Sequence, residues 1–396
     1  MHVLSLPFFG LVVGSVLLYW FGIPARWRVA LLALVSVIFC ATHAPAFTGL
    51  YLLLGIGAWG AGRWIQSERP ERSRQLLLVG CLVVLVLDLV LWKFVLSPGA
   101  IEGTGGRAAI PSYEQVVVPV GISYLSFRLI HYLVERFRGG LPDRPLSELL
   151  AWLFFFPVFL CGPLMRFGEW AGQTVERPRM VDVNQALLRI GVGVFKKAAV
   201  ADTLGMIFQP VLLAPEGEAS WRVVLAVYAV ALQLYLDFSG YTDIAIGLGR
   251  LFGYRVPENF DRPLLQSNIA EFWRHWHITL YTWIRDYVFF PLFGYKTSPL
   301  KMYLGAAVSI FLFQVWHALS PGFIALGVWH GAAVVVWQLL QAQKRKRPKW
   351  RKAFKAHKRK LAPVGIALTV SWYAFGNVLF MTSPSHLWGV LVALVG

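Results

Sequence analysis

Acidic residues are scarce in this chain: 20 Asp and Glu stand against 37 Lys and Arg in 396 residues, and charged residues of both signs make up only 14%. A soluble protein carries about 25%. Cysteine is scarce too. Cys40, Cys81 and Cys161 all sit in apolar runs without CxxC spacing, which excludes a disulfide framework and leaves them as small buried hydrophobes. No soluble-looking stretch reaches domain size. The N-terminus has neither a basic leader nor a small-x-small cleavage pattern, so a retained first span is expected rather than a removed signal peptide. What is abundant is apolar: 57% of residues are hydrophobic, with a mean hydropathy of +0.59. The expected class is all-α, a polytopic protein with one membrane domain over residues 1–396, multi-pass in the inner or plasma membrane.

A spanning helix needs about 20 mostly apolar residues. Leu4–Phe21, Val29–Ala44, Phe47–Ile65 and Gln75–Leu96 qualify. Arg26, Arg28, Arg63 and the stretch Arg69–Arg74 mark the intervening loops as cytoplasmic, which places the N-terminus outside. The Gly- and Pro-rich Ser97–Gln115 reads as an external loop. Seven further runs follow: Val118–Val134, Glu148–Leu164, Leu188–Leu213, Trp221–Phe252, Tyr303–Leu319, Pro321–Leu340 and Leu361–Met381. A short run, Leu387–Val395, comes after them. Asn259–Tyr295 is instead rich in Trp, Arg and His and reads as short re-entrant helices, which need protein or a water-filled cavity around them. Ten or eleven crossings are expected. No internal repeat is visible, which argues against a secondary transporter.

The net charge of +17 raises the question of nucleic acid, but the charge is concentrated. Lys344–Lys360 holds eleven Lys and Arg and no acid, between two apolar runs. No soluble module carries this patch, so no nucleic-acid partner is expected. It reads as a cytoplasmic loop. Two roles fit: a topology anchor facing anionic membrane lipid, or a docking surface for an acidic carrier protein or anionic cofactor.

Ionisable side chains at membrane depth are candidate functional groups. Asp237 and Asp243 lie six residues apart in YLDFSGYTDIAIGLG, so a regular helix points them in different directions. They either pair with nearby Arg or organise a polar tunnel. In FWRHWHITLYTWIRDY, His275 and His277 are two apart, which is poor metal geometry, and no metal site is expected. Arg274, Arg285 and the aromatic residues around them suit a helix at the membrane interface. Two Trp-His pairs follow in VWHALSPGFIALGVWHG, thirteen residues apart. Pro321-Gly322 breaks any continuous helix between them. Either His317 or His330 can serve as a general base near neutrality, or as a buried structural hydrogen-bonding residue.

Taken in order, these pieces resemble the membrane-bound O-acyltransferase (MBOAT) family, especially its bacterial branch of alginate O-acetylation and teichoic-acid D-alanyl transfer. The pieces are Pro119-Val-Gly-Ile-Ser-Tyr124; Phe156-Pro157 with Gly162-Pro163 and Arg166-Phe167; Asp237-Phe-Ser-Gly-Tyr-Thr-Asp243; Asn259-Phe260 with Pro263; and Glu271-Phe-Trp-Arg-His-Trp-His277 with Arg285-Asp-Tyr287. The similarity covers about residues 115–340. It implies a ring of helices around a membrane-crossing tunnel. By the family's spacing it implies His317 as the catalytic base with His277, and His330 as second choice, although Val328-Trp-His-Gly331 looks more like the family's WHG motif than Val315-Trp-His-Ala318. It implies Asp237, Tyr241, Asp243, Trp273, Arg274, Trp276, Arg285 and Trp316 as residues of the substrate passage. The implied reaction moves an acyl group, most plausibly acetyl, from acetyl-CoA or an acyl-carrier-protein thioester to a hydroxyl of an exopolysaccharide or other cell-envelope polymer. It needs no bound cofactor and implies a secreted or periplasmic acyl-transfer partner. D-alanyl transfer and a flippase or transporter without covalent chemistry are the alternatives.

Overall fold

The computed structural model describes residues 5–95, 121–173, 175–295, 298–381 and 384–395. The expected external loop Ser97–Gln115, and Pro119 and Val120 of the first motif, lie outside these. The described residues are helical, with one isolated antiparallel bridge and no strand. The helices are α1 (Leu6–Leu17), α2 (Arg28–His43), α3 (Thr48–Ile65), α4 (Glu71–Val90), α5 (Ile122–Phe137), α6 (Leu146–Leu153), α7 (Phe167–Ala171), α8 (Met180–Val194) and α9 (Asp202–Leu213). They continue with α10 (Ser220–Leu251), α11 (Ile269–His275), α12 (Ile278–Ile284), α13 (Phe290–Phe293), α14 (Pro299–Val315), α15 (Pro321–Lys346), α16 (Pro348–Met381) and α17 (Pro384–Val395).

Helices satisfy every backbone group internally, as hydrocarbon demands. Among the described residues, five are long and apolar enough to cross a membrane: Ala25–His43, Glu71–Lys93, Ser220–Leu251, Pro321–Lys346 and Arg359–Met381. Leu6–Gly22, Leu146–Val158 and Pro299–Val315 are shorter and apolar. Other apolar runs are not continuous α-helices. Leu188–Leu213 contains a π-helical stretch at Phe195–Ala201, and Pro210 falls inside α9. Glu148–Leu164 is α-helical only to Leu153 and then unwinds through its Phe-Pro and Gly-Pro pairs.

The described residues pack into two compact units, the first of residues 5–95, 121–195 and 240–257, the second of 196–239 and 258–395. In the first unit Phe8, Phe39 and Phe156 pack together, and Trp170 stacks on Tyr254 at 3.8 Å. The unwound segment after α6 is buried except at Leu160 and Cys161, which are half-buried, so its carbonyls need donors. Arg128 Nη1 donates to the carbonyls of Trp152 and Leu153 at 3.1 and 2.9 Å. Tyr124 and Tyr241 hydroxyls donate to Cys161 and Pro157, and Trp152 Nε1 to Met165. A Cβ on Gly193 would lie 2.5 Å from the Gly240 carbonyl, so only glycine lets α8 approach α10 this closely. Arg189 of α8 then reaches Asp243 at 2.7 Å.

In the second unit α14 packs along α15, and α15 along α16. Ser320 caps α15, its Oγ accepting from Phe323 N at 3.4 Å, and Pro321 occupies the first turn, where its missing N–H costs nothing. This cap ends the continuity between the two Trp-His pairs. The stretch Asn259–Tyr295 forms only short helices, α11 to α13 with brief 3₁₀ and π turns.

Candidate active site

The site is built on a reversal of the chain between α11 and α12. His277 adopts a left-handed backbone, φ 45° and ψ 52°, which costs a non-glycine residue about 1–2 kcal/mol. The strap before α11 compensates. Phe260 bridges Trp276, Asp261 N donates to the His275 carbonyl at 3.1 Å, and Ile278 N donates to the Asn259 carbonyl at 2.9 Å. Asn268 caps α11 through Glu271 N at 3.0 Å. The motif pieces Asn259-Phe260 and His275-Trp-His277 are thus two sides of one paired turn.

Asn259 fixes the chemistry of His277. Its side-chain oxygen accepts from Thr279 N at 3.2 Å and Thr279 Oγ1 at 2.8 Å. A backbone N–H can only donate, so this atom is the amide oxygen. His277 Nδ1, 3.0 Å from the same oxygen, therefore carries the proton, and Nε2 is the basic nitrogen. Burial alone pushes the His277 imidazole down to about 3, so it is neutral at physiological pH.

His330 lies on α15, 1% exposed, with the Trp273 ring edge-to-face at 4.9 Å. Phe313 lies between Trp273 and His277: its ring is 5.1 Å from Trp273 and 5.8 Å from His277. A Cβ on Gly376 would lie 3.0 Å from His330 Nε2, so glycine is what lets α16 close over this ring. The polar atoms here are unusual. His330 Nδ1, Trp273 Nε1, Gln314 Nε2 and Asn259 Nδ2 are buried with no hydrogen-bond partner among the described residues. Each such group costs about 1–3 kcal/mol, and each calls for a reason beyond stability.

The other candidate residues are distributed differently. His317 follows the end of α14 in an exposed turn, with Trp316 at 4.2 Å on one side and Phe323 stacked at 5.5 Å on the other. Trp276 packs in the second unit against Phe260, Phe272 and Tyr373. Arg274 and Arg285 are spent on exposed ion pairs with Glu271 and Asp286. Both candidate carboxylates pair with a base: Asp243 with Arg189 in the first unit, Asp237 with Lys197 in the second. Tyr241 belongs to the first unit, where it caps the unwound segment. Sequence reasoning did not single out Phe313, Gln314 or Thr279. Asn259 was visible as motif, but nothing in its spacing showed that it would orient His277.

Fold and site together define a multi-pass helical membrane protein whose second unit buries two histidines among aromatic rings. A family model described as MBOAT, membrane-bound O-acyltransferase family, matches residues 126–382. The chain belongs to that family. It is 30% identical to the probable alginate O-acetylase AlgI of Pseudomonas fluorescens over 92% of this chain and 69% of that protein. It is 33% identical to the protein of the same name from Azotobacter vinelandii, over 80% of this chain and 65% of the relative, so it spans about two thirds of the length of these relatives. The teichoic acid D-alanyltransferase of Bacillus subtilis is 28% identical over 81% of each chain.

Proposed function

We propose that this protein is an O-acyltransferase that moves an acetyl group from a cytoplasmic thioester, acetyl-CoA or an acylated carrier protein, to a hydroxyl of an extracytoplasmic polysaccharide or of a relay protein serving it. We assign the proton transfer to the buried pair His330 and His277 rather than to His317. The observation that supports this is burial: His330 is 1% exposed, whereas His317 lies in an exposed turn. A base in contact with bulk water would activate water and hydrolyse the thioester; a sealed one discriminates for the bound alcohol.

In this reading neutral His330 takes the proton of the acceptor hydroxyl as its oxygen attacks the thioester carbonyl. His277, held as its Nδ1–H tautomer by Asn259, offers Nε2 as an acceptor that aims the hydroxyl. The carbonyl oxygen becomes an oxyanion. In this reading the oxyanion is stabilised by the Trp273 indole N–H and the Gln314 amide, buried donors without a hydrogen-bond partner among the described residues. Collapse breaks the C–S bond, and the imidazolium returns its proton to the leaving thiolate, giving an ester and a free thiol. A D-alanyl substrate is the second reading, supported by the even 81% coverage shared with the Bacillus subtilis relative.

The test is thiol release by the purified, reconstituted protein from acetyl-CoA, an acetylated carrier protein and a D-alanylated carrier protein. Release from an acetyl donor, lost in His330→Ala, supports the first reading; release from the D-alanyl donor alone supports the second. No release from any of them, with directional movement of a lipid-linked sugar instead, supports a transporter and overturns both.

A further inference from the structure

The basic stretch expected as a loop is helical. α15 runs to Lys346, Arg347 makes the break, and α16 begins at Pro348 and continues for 34 residues without interruption. The apolar run within α16 opens at Leu361. The preceding thirteen residues, 348–360, therefore extend the helix about 20 Å beyond the apolar run. The headgroup layer is only about 5–7 Å deep on each side. Arg345, Lys346, Lys349, Lys352, Arg359 and Lys360 are all exposed.

Local stability does not account for this charge. Lys344, Arg345 and Lys346 at the C-terminal end of α15 complement its dipole. At the N-terminal end of α16 the relation is reversed: the first turn holds no acid, and Lys349 and Lys352 oppose the positive end of the helix. Misplaced charges of this kind cost about 0.3–1 kcal/mol each. Lys349 and Lys352 are also neighbours three residues apart on one face, and so repel each other. An anionic partner relieves both penalties. On a helix that keeps the direction of its span, lipid headgroups reach Arg359 and Lys360, and an arm of this length passes beyond the headgroup layer. A nucleotide needs a concave site, which an exposed helix does not offer.

We propose that this helical arm is the docking surface for an acidic soluble protein, the carrier that brings the acyl thioester to the cytoplasmic face. The side follows from the excess of Lys and Arg, and the identification of the partner as a thioester carrier rests on the acyltransferase reading above. The arm binds the carrier electrostatically; it takes no part in acyl transfer.

The test uses the full chain in nanodiscs of phosphatidylcholine alone, so that anionic lipid is absent. Binding of an acidic acetylated carrier protein is measured by fluorescence anisotropy as a function of salt, and thiol release from uncharged acetyl-pantetheine is measured in parallel. Wild type binds the carrier with affinity that falls steeply with salt. The double variant Lys349→Glu, Lys352→Glu binds at least about tenfold more weakly, and a carrier with reversed charge on its acidic face restores the affinity. Acetyl-pantetheine turnover stays at the wild-type level. Equal affinity of wild type and variant, or failure of the reversed carrier to rescue, overturns the proposal. Binding is read without turnover: His330→Ala should bind the carrier as wild type does, so a failure of the catalytic assignment leaves the docking result separately legible.

Discussion

The two units each contain a buried histidine beside a buried tryptophan, and the pairs are put to opposite uses. In the first unit His131 lies 6.0 Å from Trp152; its Nε2 accepts from Phe167 N at 2.9 Å, and the Trp152 indole donates to the Met165 carbonyl at 3.1 Å. Both polar edges hold unwound backbone in place. In the second unit His330 lies 4.9 Å from Trp273, and neither His330 Nδ1 nor the Trp273 indole N–H has a partner among the described residues. Residue type and burial are the same. What differs is whether the fold consumes the hydrogen-bonding capacity or leaves it for a substrate.

The comparison breaks most sharply by truncating each histidine. His330→Ala should lower thiol release by about 10²- to 10⁴-fold, the range for loss of a general base, with little change in thermal unfolding. His131→Ala should do the reverse and lower the unfolding midpoint, because the Phe167 N–H is left buried without an acceptor. Equal effects on stability would erase the distinction.

Asn259→Ala comes next. It leaves the His277 Nδ1–H and the Thr279 donors without their shared acceptor. At about 1–3 kcal/mol for an unpaired buried donor, turnover should fall roughly tenfold to a hundredfold. Thiol release that remains at the wild-type rate would show that the tautomer is irrelevant. The tryptophans sharpen the contrast further. Trp152→Phe orphans the Met165 carbonyl and should destabilise by at least about 1 kcal/mol in a denaturant titration. Trp273→Phe breaks no hydrogen bond of the folded protein, so its cost should appear chiefly as lower turnover.

A further effect is on acid stability. The His277 imidazole is pushed down to about 3 in the fold, from an ordinary 6.5. Between those values the unfolded chain binds a proton that the folded one does not, so stability is full above about pH 6.5 and declines as pH falls through that window. The unfolding midpoint should drop between pH 7 and pH 4, and His277→Gln should flatten that drop. An identical slope in the variant would assign the acid sensitivity to other groups.

Much of this was legible in the sequence, for identifiable reasons. Scarce acid and long apolar runs specify a helical membrane protein, because only helices and closed barrels satisfy backbone groups in hydrocarbon. The break at Pro321-Gly322 was legible from proline chemistry. The consequence of that break was not. Two Trp-His pairs fall on either side of it, and the packing of Trp273 and of α16 at Gly376 buries the second. The partners of Asp237 and Asp243 lie 40 and 54 residues away in sequence, so charge spacing could not reveal them. The stretch Lys344–Lys360 reads as a loop from its place between two apolar runs; in the structure it is helical apart from the break at Arg347, because α16 continues unbroken into its apolar part.

The most direct measurement compares acetyl-CoA thiol release by His317→Ala with wild type in the same membrane preparation. A rate within about twofold is expected, since in the proposed mechanism the His317 imidazole does not exchange a proton with the acceptor. A collapse of several hundredfold in folded His317→Ala protein, with His330→Ala remaining active, would contradict it.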